Sequence, residues 1–277
     1  MWSVLPKESS KLNSKQMFLT INDIREISAK MTEKTGVEYS GYALSFFRRR
    51  LALVLDKMGI HKVQDLYAAL EDKDKSDAIV YHMTVPCTEM FRDPAFWRAL
   101  RKNLSGRTSL TVWFPNLTNG YELYSLVILL KMIGVSDVRI VGNVQSARTL
   151  DEIKNISVAQ KLDEVNKSNF ERLESGCKYE DYFETTEEGH IRPKGDLLNG
   201  VKFVKGWFGS NPVEKYDLII FRNILLEYGY KLHEKSVVRL CESLVEGGML
   251  ALGIKEPLIA DVAGLKVIER EESIYGF

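Results

Sequence analysis

The stretch that decides the fold is Val112 to Ser125, with the sequence VWFPNLTNGYELYS. An apolar run stops at Pro115, polar residues and one glycine, Gly120, follow, and helical spacing of apolar residues begins near Glu122. This pattern predicts a strand, a tight turn and a helix N-terminus, the geometry that holds a cofactor in α/β domains. A turn whose backbone touches a ligand normally contains more glycine, so ligand binding at this turn is an open question.

The rest of the chain from 105 to 277 alternates strand and helix patterns. Apolar runs predict strands at 111–114, 138–141, 202–204, 217–221 and 249–254. Helical patterns separate them at 122–133, 146–155 and 231–245. Such alternation predicts a doubly wound, mostly parallel sheet, with a closing antiparallel hairpin within 266–277. The segment at about 158–200 is too long for a plain connection, and we expect it to form a small subdomain.

The first hundred residues have a different periodicity. Apolar residues at helical spacing, with Gly36 and Gly59 as stop signals and Asp93-Pro94 as a start signal, predict a small all-helical domain at 20–104. A polar linker at 105–109 separates it from the α/β domain. Residues 1–19 have few apolar positions, and we expect them to be a disordered lead-in.

Composition excludes several function classes. The 38 basic and 38 acidic residues cancel, so no overall field attracts nucleic acid or an anionic membrane. The three cysteines are far apart and the four histidines lack ligand spacing, which argues against disulfides and a metal site. No apolar run is long enough to cross a membrane, and the expected location is the cytoplasm.

Several ordered motifs resemble those of one enzyme family. They are 88–94 (TEMFRDP), 179–183 (YEDYF), 221–225 (FRNIL) and 246–253 (EGGMLALG), in addition to the opening stretch. With these motifs, residues 21–277 resemble the CheR family, whose members use S-adenosylmethionine to methylate glutamate side chains on bacterial chemoreceptors. The resemblance implies a Rossmann-like methyltransferase domain behind the helical domain, and a chemoreceptor or another chemosensory signalling protein as partner. The implied cofactor is S-adenosylmethionine or S-adenosylhomocysteine if the site is functional, and none otherwise.

The resemblance also implies roles for single residues. Arg92 matches the arginine that orients the reacting carboxylate, because a guanidinium can bind a carboxylate with two hydrogen bonds. Tyr228 would act as the tyrosine beside the transferred methyl group if the register shifts by one residue. The implied cofactor-binding residues are Thr88, Gly120, Glu122 and Asn223, and Asn143 would join them if it takes over a contact that the family makes one residue later.

Structural roles compete with these assignments. Arg92 could pair with its neighbour Asp93. Glu122 could be no more than a negative charge that stabilises the N-terminus of a helix. Asn223 could cap a turn, and Thr88 could cap a helix.

The motifs depart from the family pattern where the cofactor should lie. The substituted positions are Asn116, Tyr121, Val144, Gly206 and Glu227. In the family an aspartate accepts both ribose hydroxyls where this chain has Val144, and losing such a partner costs about 1–3 kcal/mol. Asn143 is adjacent, but an extended backbone points it at the opposite face.

These departures lead to three hypotheses. The first is a CheR-like pseudoenzyme with weakened or lost cofactor binding that acts by binding a protein. The second is an active protein-glutamate O-methyltransferase with a remodelled site, and the third is a pocket for another small ligand. The basic run Arg48-Arg49-Arg50 resembles the family's receptor-facing helix, although a solvated helix face is the commoner reason for such a run.

Overall fold

The structure is a computed structural model that describes residues 19–194, 197–258, 260 and 262–277. The predicted lead-in, apart from Leu19, lies outside the described residues. No helix in these ranges is long and apolar enough to cross a membrane.

Five helices form the N-terminal part of the described chain. They are α1 (Ile21–Thr35), α2 (Leu44–Lys57), α3 (Val63–Glu71), α4 (Lys73–Met83) and α5 (Pro94–Leu104). Thr20 and Asp23 form a capping box at the start of α1, and Gly36 ends it with φ 73°, which glycine adopts without strain. The first four helices enclose their own apolar core, and we call residues 21–83 the helical module.

The α/β part begins at Ser109. Its strands are β1 (Ser109–Phe114), β2 (Asp137–Val144), β3 (Phe183–Thr185), β4 (Ile191–Pro193), β5 (Val201–Lys205), β6 (Tyr216–Phe221), β7 (Leu244–Leu252), β8 (Lys266–Glu269) and β9 (Ile274–Gly276). Its helices are α6 (Tyr121–Met132), α7 (Ala147–Lys154), α8 (Gln160–Glu171) and α9 (Tyr230–Glu242).

Seven of these strands form one sheet in the order β5-β2-β1-β6-β7-β9-β8. The first five are parallel to their neighbours, and β9 pairs antiparallel with both β7 and β8. This order confirms the predicted Rossmann-like, mostly parallel fold and its closing hairpin. The predicted domain boundaries are not tested by the strand order and stay predictions.

The sheet separates two apolar cores. Val112 and Phe114 face a core shared with α5, α6 and α8, while Trp113 faces the core around α9, because successive residues of a strand point to opposite faces. Segment 158–200 contains α8 and the β3–β4 hairpin, and Val158 bridges to Ile191 beside it. The sequence patterns did not predict these elements individually.

Arg50 holds α2 against the end of α4. Its guanidinium donates to the carbonyl oxygens of Met83 at 3.1 Å and Thr84 at 2.7 Å, and also to that of His82. The last carbonyls of a helix have no partner within the helix, so a charged donor there both satisfies them and complements the helix dipole. Arg50 therefore has a structural role, whereas Arg48 and Arg49 are exposed.

The module also contacts the sheet through α4. Asp77 accepts hydrogen bonds from the backbone N–H of Ala147 at 2.7 Å and of Arg148 at 3.2 Å, at the start of α7. Its carboxylate also pairs with Lys205 at 2.8 Å. Since α7 follows β2 and Lys205 ends β5, this contact fixes the module beside the ends of two strands.

Replacing Arg50 by Met keeps the apolar stem and removes the bonds to α4. We expect Arg50→Met to lower the free energy of unfolding by about 1–3 kcal/mol, because three carbonyl groups lose a charged donor. Urea denaturation measures the change. Arg48→Met is the matched control, with an expected change within about 0.5 kcal/mol because its side chain is exposed. Equal losses in both variants would contradict the role given to Arg50.

Candidate functional site

The predicted site residues follow the carboxyl ends of the parallel strands. The loop after β1 spans 115–120, the connection after β2 contains Ser146, the loop after β6 spans 222–229, and the turn after β7 contains Glu256. Ligands of doubly wound sheets bind at this edge, so these loops form the candidate site.

A buried arginine connects three of these elements. The Arg222 side chain is fully buried, and it pairs with Asp93 at 2.6 Å and with Glu122 at 2.9 Å. Its guanidinium also lies 4.0 Å from the centre of the Phe96 ring. Burial raises the pKa of Glu122, and the ion pair with Arg222 opposes that rise. Glu122 therefore already has a cationic partner within the protein.

A second buried carboxylate fixes the loop after β6. Glu256 accepts hydrogen bonds from the backbone N–H groups of Gly253 at 2.6 Å, Asn223 at 2.7 Å and Leu225 at 2.6 Å. A Cβ on Gly253 would lie 2.7 Å from a carboxylate oxygen of Glu256, so this position requires glycine. Asn223 has φ 61°, a conformation that asparagine tolerates. The residues after β6 are thus held in one conformation by a single side chain.

The loop after β1 packs against β2. Leu117 donates its backbone N–H to the carbonyl of Asn143 at 2.8 Å, and its buried side chain lies 2.5 Å from where a Cβ on Gly142 would be. The buried side-chain oxygen of Asn116 has no hydrogen-bond partner in the described structure. At Gly120, a Cβ would lie 3.0 Å from the ring of Tyr124. Protein side chains therefore occupy both sides of this turn.

The end of β2 places two predicted residues on opposite faces. Val144 is fully buried in the core shared with α6. Asn143 is also fully buried, but its amide oxygen accepts from the indole N–H of Trp113 at 2.9 Å on the other face. Its amide N–H donates to the carbonyl of Gly206 at 3.4 Å. Asn143 thus has partners within the protein, and its assignment to the cofactor stays a prediction.

Tyr228 lies under the helical module. Its side chain is 6% exposed, its ring is 5.1 Å from that of Tyr42, and its hydroxyl has no hydrogen-bond partner in the described structure. Burial raises the pKa of this hydroxyl above its usual range. The catalytic assignment of Tyr228 stays a prediction for a residue that the module covers.

Thr88 and Arg92 lie on the outer side of the site. Thr88 is exposed, and the guanidinium of Arg92 is 3.4 Å from its hydroxyl. The segment before them crosses the loop after β1, because Asn119 donates its side-chain N–H to the carbonyl of Cys87 at 2.8 Å. The charge of Arg92 also favours ionised Glu122. The fold therefore brings Thr88, Arg92 and Glu122 together.

Sequence reasoning left out three residues that hold the candidate site together. Arg222 lies in a quoted motif and Glu256 follows another by three residues, yet their burial and bonding partners give no signal in the chain. Tyr42 lies far from Tyr228 in sequence, and the only signal for it was an aromatic residue before α2.

Two cavities lie away from these loops. One of about 330 Å³ lies between α6 and β2, lined by Val127, Leu130 and Ile140 among others. One of about 180 Å³ lies on the sheet face beside Trp113, Asn143 and Tyr216. Among the described residues, no group of three or more His, Cys, Asp or Glu side chains is placed to hold a metal ion.

A family model and several relatives among known proteins assign the chain to the same family. Residues 87–274 match the family model described as CheR methyltransferase, SAM binding domain. The Cher3 protein of Pseudomonas putida is 26% identical over 84% of this chain and 88% of its own length. A chemotaxis protein methyltransferase of Listeria monocytogenes is 23% identical over 76% of this chain and 80% of its own length.

A third relative covers a slightly larger share of the chain. Chemotaxis protein methyltransferase 1 of Vibrio cholerae is 23% identical over 87% of this chain and 91% of its own length. The family model covers more than half of the sequence, and the strand order is that of the fold predicted from the motifs. The chain belongs to the CheR methyltransferase family.

Proposed function

We propose that this chain is a CheR-family protein whose S-adenosylmethionine binding is weakened or lost, and that it acts by binding a protein of a chemosensory system. The observation that carries the proposal is the filling of the carboxyl edge by the chain's own apolar side chains.

The ribose position supports weak binding. Val144 occupies the place of the family's aspartate and is fully buried by protein atoms. An apolar side chain cannot accept the hydrogen bonds of two hydroxyl groups, and their loss costs about 1–3 kcal/mol each in a buried site. Asn143 cannot replace it in this conformation, because its amide faces Trp113.

The loop after β1 supports the same conclusion. Leu117 is 3% exposed and packs on β2 at Gly142, so an apolar side chain fills the junction between the loop and the strand. One carboxylate oxygen of Glu122 is paired with Arg222 at 2.9 Å, so its charge is already partly compensated within the protein. Tyr121 stands where the family has the first of two glutamates, and its phenol carries no charge at neutral pH. The residues of this loop do not fit the cofactor.

One group of residues favours an active methyltransferase as the second candidate. Thr88 is exposed, Arg92 lies beside it, and the electrostatic influence of Arg92 reaches Glu122. This group could still bind a substrate carboxylate through the guanidinium. The two candidates therefore differ in cofactor binding, which can be measured directly.

The surface of α2 supports a protein partner. Arg48 and Arg49 are exposed side by side, and Leu44 at the start of the same helix is 38% exposed. Leu226, which precedes the residue that bonds to Ala43, is 53% exposed. Apolar residues next to exposed arginines suit the acidic helices of a chemoreceptor, since opposite charges speed association and favour the correct partner.

Calorimetric titration with S-adenosylhomocysteine tests the loss of the cofactor site. We expect no binding tighter than about 1 mM, the level at which association supplies only about 4 kcal/mol. The Listeria relative serves as the positive control under the same conditions. Micromolar binding by this chain would overturn the proposal and favour the active enzyme.

Partial restoration of the site tests which residues cause the loss of cofactor binding. We expect the double variant Asn116→Gly, Val144→Asp to bind the same compound at least about tenfold more tightly than the natural chain, because it regains a hydroxyl acceptor and loop space. Val144→Thr, which keeps the shape of valine, is the matched control. Circular dichroism checks that each variant is folded, and equal affinities in folded variants would contradict the assignment.

The partner surface is tested with a purified cytoplasmic fragment of a chemoreceptor from the same organism. We expect Arg48→Ala, Arg49→Ala to weaken binding about tenfold or more and to reduce its dependence on salt, because the exposed arginines supply charge complementarity. Lys131→Ala, an exposed lysine on α6, is the control. Unchanged affinity in the double variant would rule out this surface.

A further inference from the structure

The helical module closes over the carboxyl edge through a contact that we call the seam, between residues 41–43 and 227–229. Ala43 donates its N–H to the carbonyl of Glu227 at 2.9 Å, and Gly229 donates to the carbonyl of Gly41 at 2.9 Å. Tyr42 and Tyr228 face each other in this antiparallel bridge, with their rings at 66°. The seam is therefore a short β contact between the module and the loop after β6.

Two glycines allow the backbones to approach. A Cβ on Gly229 would lie 3.0 Å from the carbonyl oxygen of Gly41. A Cβ on Gly41 would lie 2.8 Å from the side chain of Leu232. Any larger side chain at either position would push the two segments apart, so the closed seam depends on both glycines.

A buried carboxyl group lies within the seam. The side chain of Glu227 is 6% exposed. The groups that act on it are Arg50 from α2, Tyr39 and Tyr42 from the turn before α2, Tyr228 beside it, and Glu256 from the turn after β7. Its only cationic neighbour among these, Arg50, already donates to three carbonyl groups at the end of α4.

These surroundings disfavour the ionised form of Glu227. Burial raises the pKa of Glu227 to about 8, Arg50 opposes the rise in part, and Glu256 adds to it. Near neutral pH the closed seam therefore contains a neutral carboxyl group. Ionisation places an anion beside the Glu256 carboxylate, and Arg50, the cationic neighbour, is already bonded to carbonyl groups at the end of α4, so closure loses stability.

We propose that the seam is a latch that holds the helical module closed over the carboxyl edge, and that ionisation of Glu227 releases it. Release separates Tyr42 from Tyr228 and exposes the aromatic residues beneath the module. The latch concerns the opening of the site, and it stands whether or not the cofactor site has been lost as proposed above.

Hydrogen exchange measured by mass spectrometry tests the latch in the full chain. Peptides that contain the N–H groups of Ala43 and Gly229 report on the seam, and peptides within β6 report on the core of the sheet. After correction for the intrinsic effect of pH, we expect seam protection to fall about tenfold or more between pH 6.5 and pH 9, while β6 keeps its protection.

Two variants make the test specific. Glu227→Gln keeps a neutral side chain, so its seam should remain protected at pH 9. Glu234→Gln, an exposed residue on α9, is the matched control and should behave like the natural chain. Gly229→Ala should open the seam at pH 6.5 with β6 still protected. The proposal would be overturned if Glu227→Gln lost seam protection at pH 9. It would also be overturned if the natural chain kept its seam protection at pH 9.

The pH dependence of stability gives an independent measurement. Because the pKa of Glu227 is higher in the folded chain than the ordinary value of about 4.3, the unfolded chain ionises first as pH rises. The stabilisation is thus complete below about pH 4 and is lost by about pH 8. We expect the urea midpoint of the natural chain to fall over this range and that of Glu227→Gln to fall less. If the urea midpoints of the natural chain and of Glu227→Gln fell in parallel with pH, the result would count against a buried Glu227.

Titration with S-adenosylhomocysteine at pH 6.5 and pH 9 separates this proposal from the loss of the cofactor site. Seam opening at pH 9 with no binding at either pH supports both proposals. Seam opening with binding only at pH 9 supports the latch and overturns the loss of the site. Binding at pH 6.5, while the exchange data show a closed seam, would overturn the claim that the latch closes the site.

Discussion

The buried guanidinium of Arg222 is the interaction on which the site depends. It pairs with Asp93 before α5 and Glu122 at the start of α6, and it follows β6 directly. Removing one member of a buried ion pair leaves an uncompensated charge and costs about 3–5 kcal/mol. The three residues therefore hold the segment before α5, the start of α6 and the end of β6 together. This structural role alone explains why the three residues match the family motifs, whether or not the protein is catalytic.

Local patterns predicted most of the fold. Continuous apolar runs identified β1 and β6, the helix signals around Gly36 and Pro94 marked real helix ends, and the alternation of strand and helix patterns predicted the parallel sheet. These features depend on neighbours within one helical turn or one strand. The small hairpin β3–β4 was not predicted individually, because strands of three residues carry too few alternations to be distinguished from a loop.

The sequence could not predict contacts between distant segments. The run Arg48 to Arg50 appears uniform, but only Arg50 is used to cap α4, because the helix turns it toward the end of a helix more than thirty residues away. The faces of Asn143 and Val144 were correctly separated by strand alternation, whereas the partner of Asn143 was not foreseeable. The covering of Tyr228 by Tyr42 joins two parts of the chain that share no local pattern.

Filling of the edge and closure of the module reinforce each other. Leu117 and Val144 bury apolar surface that an open cleft would return to water, at about 25 cal/mol for each Å². A ligand that opened the cleft would have to offset that loss and the broken seam before gaining any contact of its own, which reduces its apparent affinity. A protein bound on the outer face of α2 meets no such cost, because Arg48 and Arg49 are already exposed. The same packing that weakens the cofactor site therefore leaves the partner surface unaffected.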